Sequence, residues 1–365
     1  MWIYGGVPKA IEVTTHVLDD VFAGLITIDG SSIYGMTDVH NSDLLLVPDL
    51  NSFRILPICN SEIGNVAVFM CFVCNPDGTP AKGCTRSILK RELDVLGKCG
   101  FDKMNVGFEP EFFLLRDGKI LDDESYADIT EVDRILREMM FEFERVGIIP
   151  LTCHHERAPS QFEITFKYED AMRSCDNLVL YKMIAKHVAC KNGLDLIFDP
   201  KPFESVNGSG CHTNISLAKN GKNAFAKDDG LSDIAMCFIS GILENAGAIT
   251  WLANSSEDSY KRLVPNAEAP TKICWGYHNR SAMIRIPKAS ENATRVELRS
   301  PDMMMNPYLC VAGILRVGLD DVKRMALPPK PIGDVSDNDE IKHLPASLED
   351  AMREFKASEL FRGFL

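Results

Sequence analysis

Five glutamates and a histidine recur along this chain at spacings that could gather them on one surface. Glu109-Pro-Glu111 sets two carboxylates two residues apart, so both point to the same face of an extended strand. His154-His-Glu-Arg-Ala-Pro-Ser-Gln-Phe-Glu163 adds Glu156 in a turn and Glu163 at the opening of a strand. Asn207-Gly-Ser-Gly-Cys-His212 has glycines that permit close backbone approach, and a histidine that emerges at the next strand. Glu297 is the fifth carboxylate. Such a set is hard and oxygen-rich with one nitrogen, which suits Mg²⁺ or Mn²⁺ and not structural zinc.

Beside these carboxylates runs a series of arginines. Asn279-Arg-Ser-Ala-Met-Ile-Arg-Ile-Pro287 and Arg295-Val-Glu-Leu-Arg-Ser300 carry four arginines in two strand-like stretches. Alternation puts Arg295, Glu297 and Arg299 on one face, with Val296 and Leu298 on the other. The planar guanidinium fork is suited to bidentate capture of phosphate and carboxylate. Each fragment alone has a plainer reading. The arginine strand could be a solvated edge, Glu-x-Glu an exposed strand, the paired histidines a capped turn, and Asn-Gly-Ser-Gly a hairpin. Four such signals in one chain, all placing charge beside apolar strands, favour a bound-ion site.

The elements that must position these residues form a mixed α+β pattern. Short β-like runs (Leu44–Val47, Phe53–Leu56, Val66–Val73) fill residues 1 to about 76, separated by turn signals. Helical periodicity follows over Thr85–Cys99. Strands are then expected near 106–115, 162–167 and 212–217. Helices are expected near 131–146, 171–191 and 231–252, with another starting at Pro307. Residues 328–345 read as a surface loop before a final amphipathic helix. The length of 365 residues suggests two domains, divided as 1–77 and 78–365.

Composition excludes several classes of function. A net charge of −13 argues against a general nucleic-acid binder or a binder of anionic membranes. No apolar run approaches the roughly 18 residues of a membrane span, and the N-terminus lacks the pattern of a signal peptide. The 12 cysteines are scattered, and the single Cys71-x-x-Cys74 pair lies in a strand-like run. They are expected as reduced thiols of a cytoplasmic protein.

The motifs, in order, resemble those of bacterial type-I glutamine synthetases. Glu109-Pro-Glu-Phe-Phe, His155-Glu-Arg-Ala-Pro-Ser-Gln-Phe-Glu-Ile, Lys201-Pro with Asn207-Gly-Ser-Gly-Cys-His, and Tyr260-Lys-Arg-Leu-Val-Pro-Asn-Ala-Glu-Ala-Pro carry the resemblance. So do Asn279–Pro287, Arg295–Ser300, Asp29-Gly-Ser-Ser-Ile-Tyr-Gly, Val47-Pro-Asp-Leu and Asn306-Pro-Tyr-Leu. The match is colinear and covers nearly the whole chain. It implies an incomplete β-grasp-like domain followed by a catalytic α/β domain with a curved antiparallel sheet flanked by helices. The implied reaction joins ammonium to the γ-carboxylate of L-glutamate through γ-glutamyl phosphate, with ATP as co-substrate and two or three Mg²⁺ or Mn²⁺ ions.

Roles follow from the same resemblance. Glu111, Glu156 and Glu163 are expected on the metal beside glutamate, and Glu109, His212 and Glu297 on the metal at the nucleotide phosphates. Asn207, Gly208, Arg262, Arg280 and Arg299 are expected on glutamate. Phe166, Tyr168, Asn214, Ser216, Arg285 and Arg295 are expected at the nucleotide. Asp29, lent by an adjacent subunit of a ring, Glu268 on a closing flap, and Arg280 complete the catalytic set. A carboxylate is a poor electrophile until phosphorylated, and an anionic niche both binds ammonium and takes its proton.

Departures from the family pattern are also expected to matter. The chain is short at both ends relative to that pattern. Leu151 stands where the family usually has a glutamate at the nucleotide, and Asn266-Ala267 replaces the usual Gly-Tyr of the flap. Asp38 replaces an arginine tied to feedback inhibition, and no tyrosine follows residue 330 to serve adenylylation. Two rival readings fit the same motifs: a γ-glutamyl-amine ligase acting on a polyamine or other amine, and a catalytically silent homologue. Asp29 favours ammonium over a bulkier amine.

Overall fold

The structure is a computed structural model that describes residues 1–365 apart from 5–6, 34, 62–63, 123–130, 229, 266–267 and 334–339. Tyr34 of the N-terminal motif, and Asn266 and Ala267 before Glu268, therefore lie outside the described residues.

The strand Lys103–Arg116 organises the larger part of the molecule. Its even-numbered residues Met104, Val106, Phe108, Phe112 and Leu114 are all buried in the main hydrophobic core. Its odd-numbered residues Asn105, Gly107, Glu109 and Glu111 line an open cleft on the opposite face. Strand alternation thus separates an apolar side from a polar one along a single segment. Around it forms an 11-stranded sheet whose main path runs Pro150–His155, Gln161–Phe166, Lys103–Arg116, Cys211–Lys219, Val296–Leu298, Ile284–Ile286, Trp275–Tyr277. Pairing along this path is antiparallel, except for the parallel pair of Trp275–Tyr277 with Ile284–Ile286.

The apolar face is covered by helices Thr85–Lys98, Glu131–Arg145, Ala171–Lys191, Asp233–Glu244 and Pro307–Arg324, whose inward residues join the same core. A separate small core of Trp2, Leu44, Leu46, Val73 and Cys84 lies under the N-terminal three-stranded sheet. The α+β class predicted from the sequence is the one that forms. All described cysteines are free thiols, and Cys71 and Cys74 are buried in a strand of that small sheet.

Two segments differ from the sequence-based expectation. The single helix expected near 231–252 is two, Asp233–Glu244 and Ala246–Ala253, bent by 79°. The Gly241 carbonyl accepts both the Asn245 amide at 3.3 Å and the Asn245 side chain at 3.0 Å, which closes the end of the first helix. Gly247 then lets the second helix close on Leu348–Ala357, since a Cβ there would lie 1.8 Å from a Glu354 carboxylate oxygen. The run Val66–Val73 is likewise two strands, Gly64–Val68 and Cys71–Cys74. Between them the Met70 amide turns to the Ser52 hydroxyl at 2.8 Å. No single helix among the described residues is long and apolar enough to cross a membrane, and the bent pair is largely buried in the core.

One buried ion network ties three segments together. The Arg86 guanidinium, only 4% exposed, donates to both Asp176 oxygens at 3.0 and 2.8 Å and to Asp49 at 2.7 Å. Tyr308 donates to the same Asp176 carboxylate at 2.6 Å, and the Phe72 ring packs under the guanidinium at 4.5 Å. Asp49 and Tyr308 come from the Val47-Pro-Asp-Leu and Asn306-Pro-Tyr-Leu motifs, which therefore have a shared structural partner. Removing one member of such a buried network strands the remaining charges. Arg86→Met is expected to cost about 3–5 kcal/mol of stability, read as a lower urea midpoint for the tertiary-structure signal. An unchanged midpoint would mean that Asp49 and Asp176 are held by something else.

Candidate active site

Register alone assembles a polar row across the sheet. His154 lies opposite Glu163, and Glu163 opposite Glu111 on the long strand. His212 lies opposite Glu109, while Asn214 lies opposite both Gly107 and Glu297, and Glu297 opposite Arg285. Directly opposed residues share a face and are close enough to interact. The row therefore runs along one face of six strands and lines a cleft of about 1810 Å³.

Three groups of donors fall within 4.8 Å of one another: Glu109 with His212 and Glu297; Glu111 with Glu163 and His212; His154 with Glu156 and Glu163. His212 Nδ1 is 3.2 Å from Glu109, and its Nε2 is 3.9 Å from Glu111, so the imidazole sits between the first two groups. Glu156 meets His154 at 2.8 Å, just beyond the end of the Pro150–His155 strand. Glu111 is fixed further by the Gly210 amide at 2.8 Å and by Gln161 at 3.2 Å.

The arginine strand is not a solvated edge. Val296–Leu298 lies inside the sheet, and Glu297 is fully buried. Arg285 and Arg299 each donate to one of its oxygens at 2.6 Å. Among the described residues, Arg285 Nε is buried without a partner. Arg295 reaches Asn214 at 2.8 Å, and Asn214 reaches Glu109 at 2.9 Å, so the arginine row joins the carboxylate row. At the other end Arg262, 2% exposed, donates to the Ser300 and Arg299 carbonyls at 2.9 and 3.2 Å. Gly210 leaves room for it, because a Cβ there would lie 2.6 Å from its guanidinium.

The comparisons with known proteins agree on what this geometry belongs to. The description "Glutamine synthetase, catalytic domain" matches residues 82–365, and "Glutamine synthetase, beta-Grasp domain" matches residues 4–76. The chain is 41% identical to a glutamine synthetase of Thermus thermophilus over 99% of this chain and 86% of that one. It is 39% identical to one of Staphylococcus aureus over 99% and 85%. The chain belongs to the glutamine synthetase family. Among solved structures, GmaS in complex with ADP is similar at 31% identity and a TM-score of 0.88, over 98% of this chain and 86% of that one. The Plasmodium falciparum glutamine synthetase, at 23% identity and a TM-score of 0.84 over 97% and 87%, shares the fold. This chain is therefore a ligase of the glutamine synthetase family.

In this family member most of the residues singled out from the sequence line the same cleft: Glu109, Glu111, Glu156, Glu163 and His212, then Asn207, Gly208, Arg262, Glu268, Arg280 and Arg299, then Tyr168, Asn214, Ser216, Arg285 and Arg295. Glu297 lies behind them, between its two arginines. Phe166 borders the cleft, but its ring packs into the core against Phe108 and Tyr181. Parity explains this, because Gln161, Glu163 and Thr165 hold the cleft side of that strand, so Phe166 can offer the cleft only its backbone. Asp29 is the exception. It ends the strand Ile26–Asp29, is not among the cleft residues, and accepts from the Ser31 and Ser32 hydroxyls at 2.6 Å each. Gln161, Arg157, Lys272 and His343 also line the cleft and were not singled out from the sequence. Gln161 shares the parity of Glu163, a signal that was available. His343 arrives by the backbone bridge of Lys272 with His343, which no local pattern announces.

The electrostatics of this glutamine synthetase-family site are those of crowded anions. Burial, then the neighbouring Glu109, Glu111, Glu156 and Glu297 carboxylates, push the Glu163 carboxyl well above its ordinary value. Burial also raises Glu111, against the attraction of His212. Glu109 goes the other way: burial opposes ionisation, but the His212 hydrogen bond and charge hold it down to about 2. Carboxyls that bind protons more tightly folded than unfolded weaken the fold as pH rises past the ordinary carboxylate range. A divalent cation among these donors would remove that repulsion, and oxygen donors with one imidazole fit Mg²⁺ or Mn²⁺. At neutral pH in EDTA, Glu163→Gln is expected to melt higher than the parent protein. Added millimolar Mg²⁺ is expected to raise the parent's melting temperature more than the variant's. Equal gains in both would take Glu163 out of the cation-binding set.

Proposed function

We propose that this chain catalyses ATP-dependent ligation of ammonium to the γ-carboxylate of L-glutamate through γ-glutamyl phosphate. The observation that carries the reading is the continuous row from Glu163 through Glu111, Glu109 and Glu297 to Arg285, which lays a cation-binding stretch against an anion-binding one in a single cleft. Phosphoryl transfer from one anion to another needs that juxtaposition. Glu111, Glu156 and Glu163 would hold one Mg²⁺ or Mn²⁺ ion, and Glu109, His212 and Glu297 another. When bound, these ions supply neutralisation of the charge on the transferred phosphoryl group.

The remaining roles belong to side chains. Arg280, Arg285 and Arg295 lie along the phosphate stretch, with Tyr168, Asn214, Ser216 and the Phe166 backbone beyond them toward the nucleotide. Arg262 and Arg299 are buried and already partly bonded, so they present an oriented cationic end to glutamate with Asn207 and Gly208. Glu268 faces the cleft as the carboxylate that takes the ammonium proton. Asp29 is exposed, and the Ser31 and Ser32 hydroxyls hold its carboxyl below the ordinary range, so it is anionic at neutral pH. Lent to the cleft of a neighbouring copy, it completes the ammonium niche. Ile11, Phe22, Leu25, Val39, Leu50 and Ile55 are exposed apolar residues of the same N-terminal region and support a ring in which copies share sites. The division into domains 1–77 and 78–365 and a cytoplasmic setting complete the reading.

A second reading has a specific observation behind it. The similar structure of GmaS, a γ-glutamylmethylamide synthetase, leaves a small amine as the alternative acceptor. The deciding experiment gives purified protein ATP, Mg²⁺ and L-glutamate, then ammonium, methylamine or a polyamine, and follows phosphate and amide together. Amide formation with ammonium is expected. Amide formation with methylamine or polyamine but not ammonium would transfer the assignment, and no turnover with any amine would end the enzymatic reading. Glu297→Gln, which keeps the shape between Arg285 and Arg299, is expected to lower kcat by about 10²–10³-fold with an unchanged circular dichroism spectrum. Parent-like kcat would contradict its placement.

A further inference from the structure

The Glu268 carboxylate is held by two side chains from separate loops. Arg157 Nη1 approaches one oxygen at 3.1 Å, and Asn207 Nδ2 donates to the other at 2.7 Å. All three residues line the cleft. Glu268 itself has a φ of 53°, in the left-handed region that a long side chain rarely occupies, so its placement depends on surrounding contacts. Arg157 follows Glu156 directly, so this contact links the carboxylate cluster to the segment that carries Glu268.

We propose that Arg157 is a positioning residue that latches Glu268 over the cleft. The proposal rests on the ligase reading given above and adds to it a residue that touches neither substrate nor metal. The latch is weak by construction. Its two side chains are 70% and 52% exposed, and an exposed ion pair shifts an equilibrium by at most about fivefold. A contact of that strength does not stabilise the fold measurably. It sets how often the segment stands closed, so that substrate and product can pass while closure still prevails during chemistry. When the segment is open, water can attack the γ-glutamyl phosphate carbonyl, breaking the acyl–oxygen bond to return glutamate and phosphate. ATP is then hydrolysed with no amide formed.

The stoichiometry of the parent enzyme and its variants tests this. With its accepted amine, the parent is expected to release about one phosphate per amide. In Arg157→Ala the amine-independent release of phosphate is expected to rise roughly two- to fivefold, and the phosphate-to-amide ratio to exceed one. Arg157→Lys, which keeps the charge, is expected to restore most of the coupling. Hydrogen–deuterium exchange of residues 268–272 is expected to quicken in Arg157→Ala while the buried strands exchange as before. Parent-like stoichiometry together with parent-like exchange of 268–272 would overturn the latch. If the parent forms no amide with any amine, the ligase reading fails by itself, and the exchange measurement still decides whether Arg157 holds the segment.

Discussion

Charged residues fixed at strand spacing on one face of a sheet are the constraint from which the remainder of this molecule follows. Backbone hydrogen bonds between Lys103–Arg116 and its neighbours set the separations of Glu163, Glu111, Glu109 and His212. The side chains cannot spread to relieve their repulsion without breaking the ladder. The opposite face must then be apolar and continuous, which it is from Met104 to Leu114, because that packing holds the anions together. Counter-charge then comes from neighbouring elements. Arg262 ends a short helix, while Arg280, Arg285, Arg295 and Arg299 lie on or beside the two strands at the sheet's far side.

Much of this was legible because alternation is a local rule. Glu109-Pro-Glu111 and Arg295-Val-Glu-Leu-Arg299 display their shared faces within five residues, and the fold places both on the cleft side. The same rule, applied further along the Gln161–Phe166 strand, assigns Gln161 to the cleft and turns the Phe166 ring to the core. Motif resemblance alone says neither of these things. What was not legible depends on distant partners. Residues 231–252 read as one apolar helix because a lone Asn245 is a weak local marker of the break. The 79° bend is made where Gly247 closes on Glu354, about a hundred residues later in sequence. His343 enters the cleft through a backbone bridge to Lys272, and no periodicity in either segment reports it.

Asp29 illustrates a different limit. Its motif was readable, yet a single copy of the chain holds it away from the cleft, hydrogen-bonded to its own turn. The two serines that bond it also fix its carboxylate direction and keep it ionised. The same bonds cap the turn that follows Asp29, as those from Thr79 do for the exposed Asp77. The Arg86 network contributes from within, since Asp49, Asp176 and Tyr308 fix the N-terminal segment against helices Ala171–Lys191 and Pro307–Arg324.

Burial is graded along the cleft. Glu297 is wholly enclosed, with each oxygen committed to an arginine, while Leu151 and Tyr168 at one lip are more than half exposed. A substitution at the enclosed end disturbs several charges at once, whereas one at the lip alters only what passes over it. The enclosed end is thus tied to one arrangement of charge, while the exposed lip leaves room for change in what enters. Descendants of this chain could change diet without relearning how to digest.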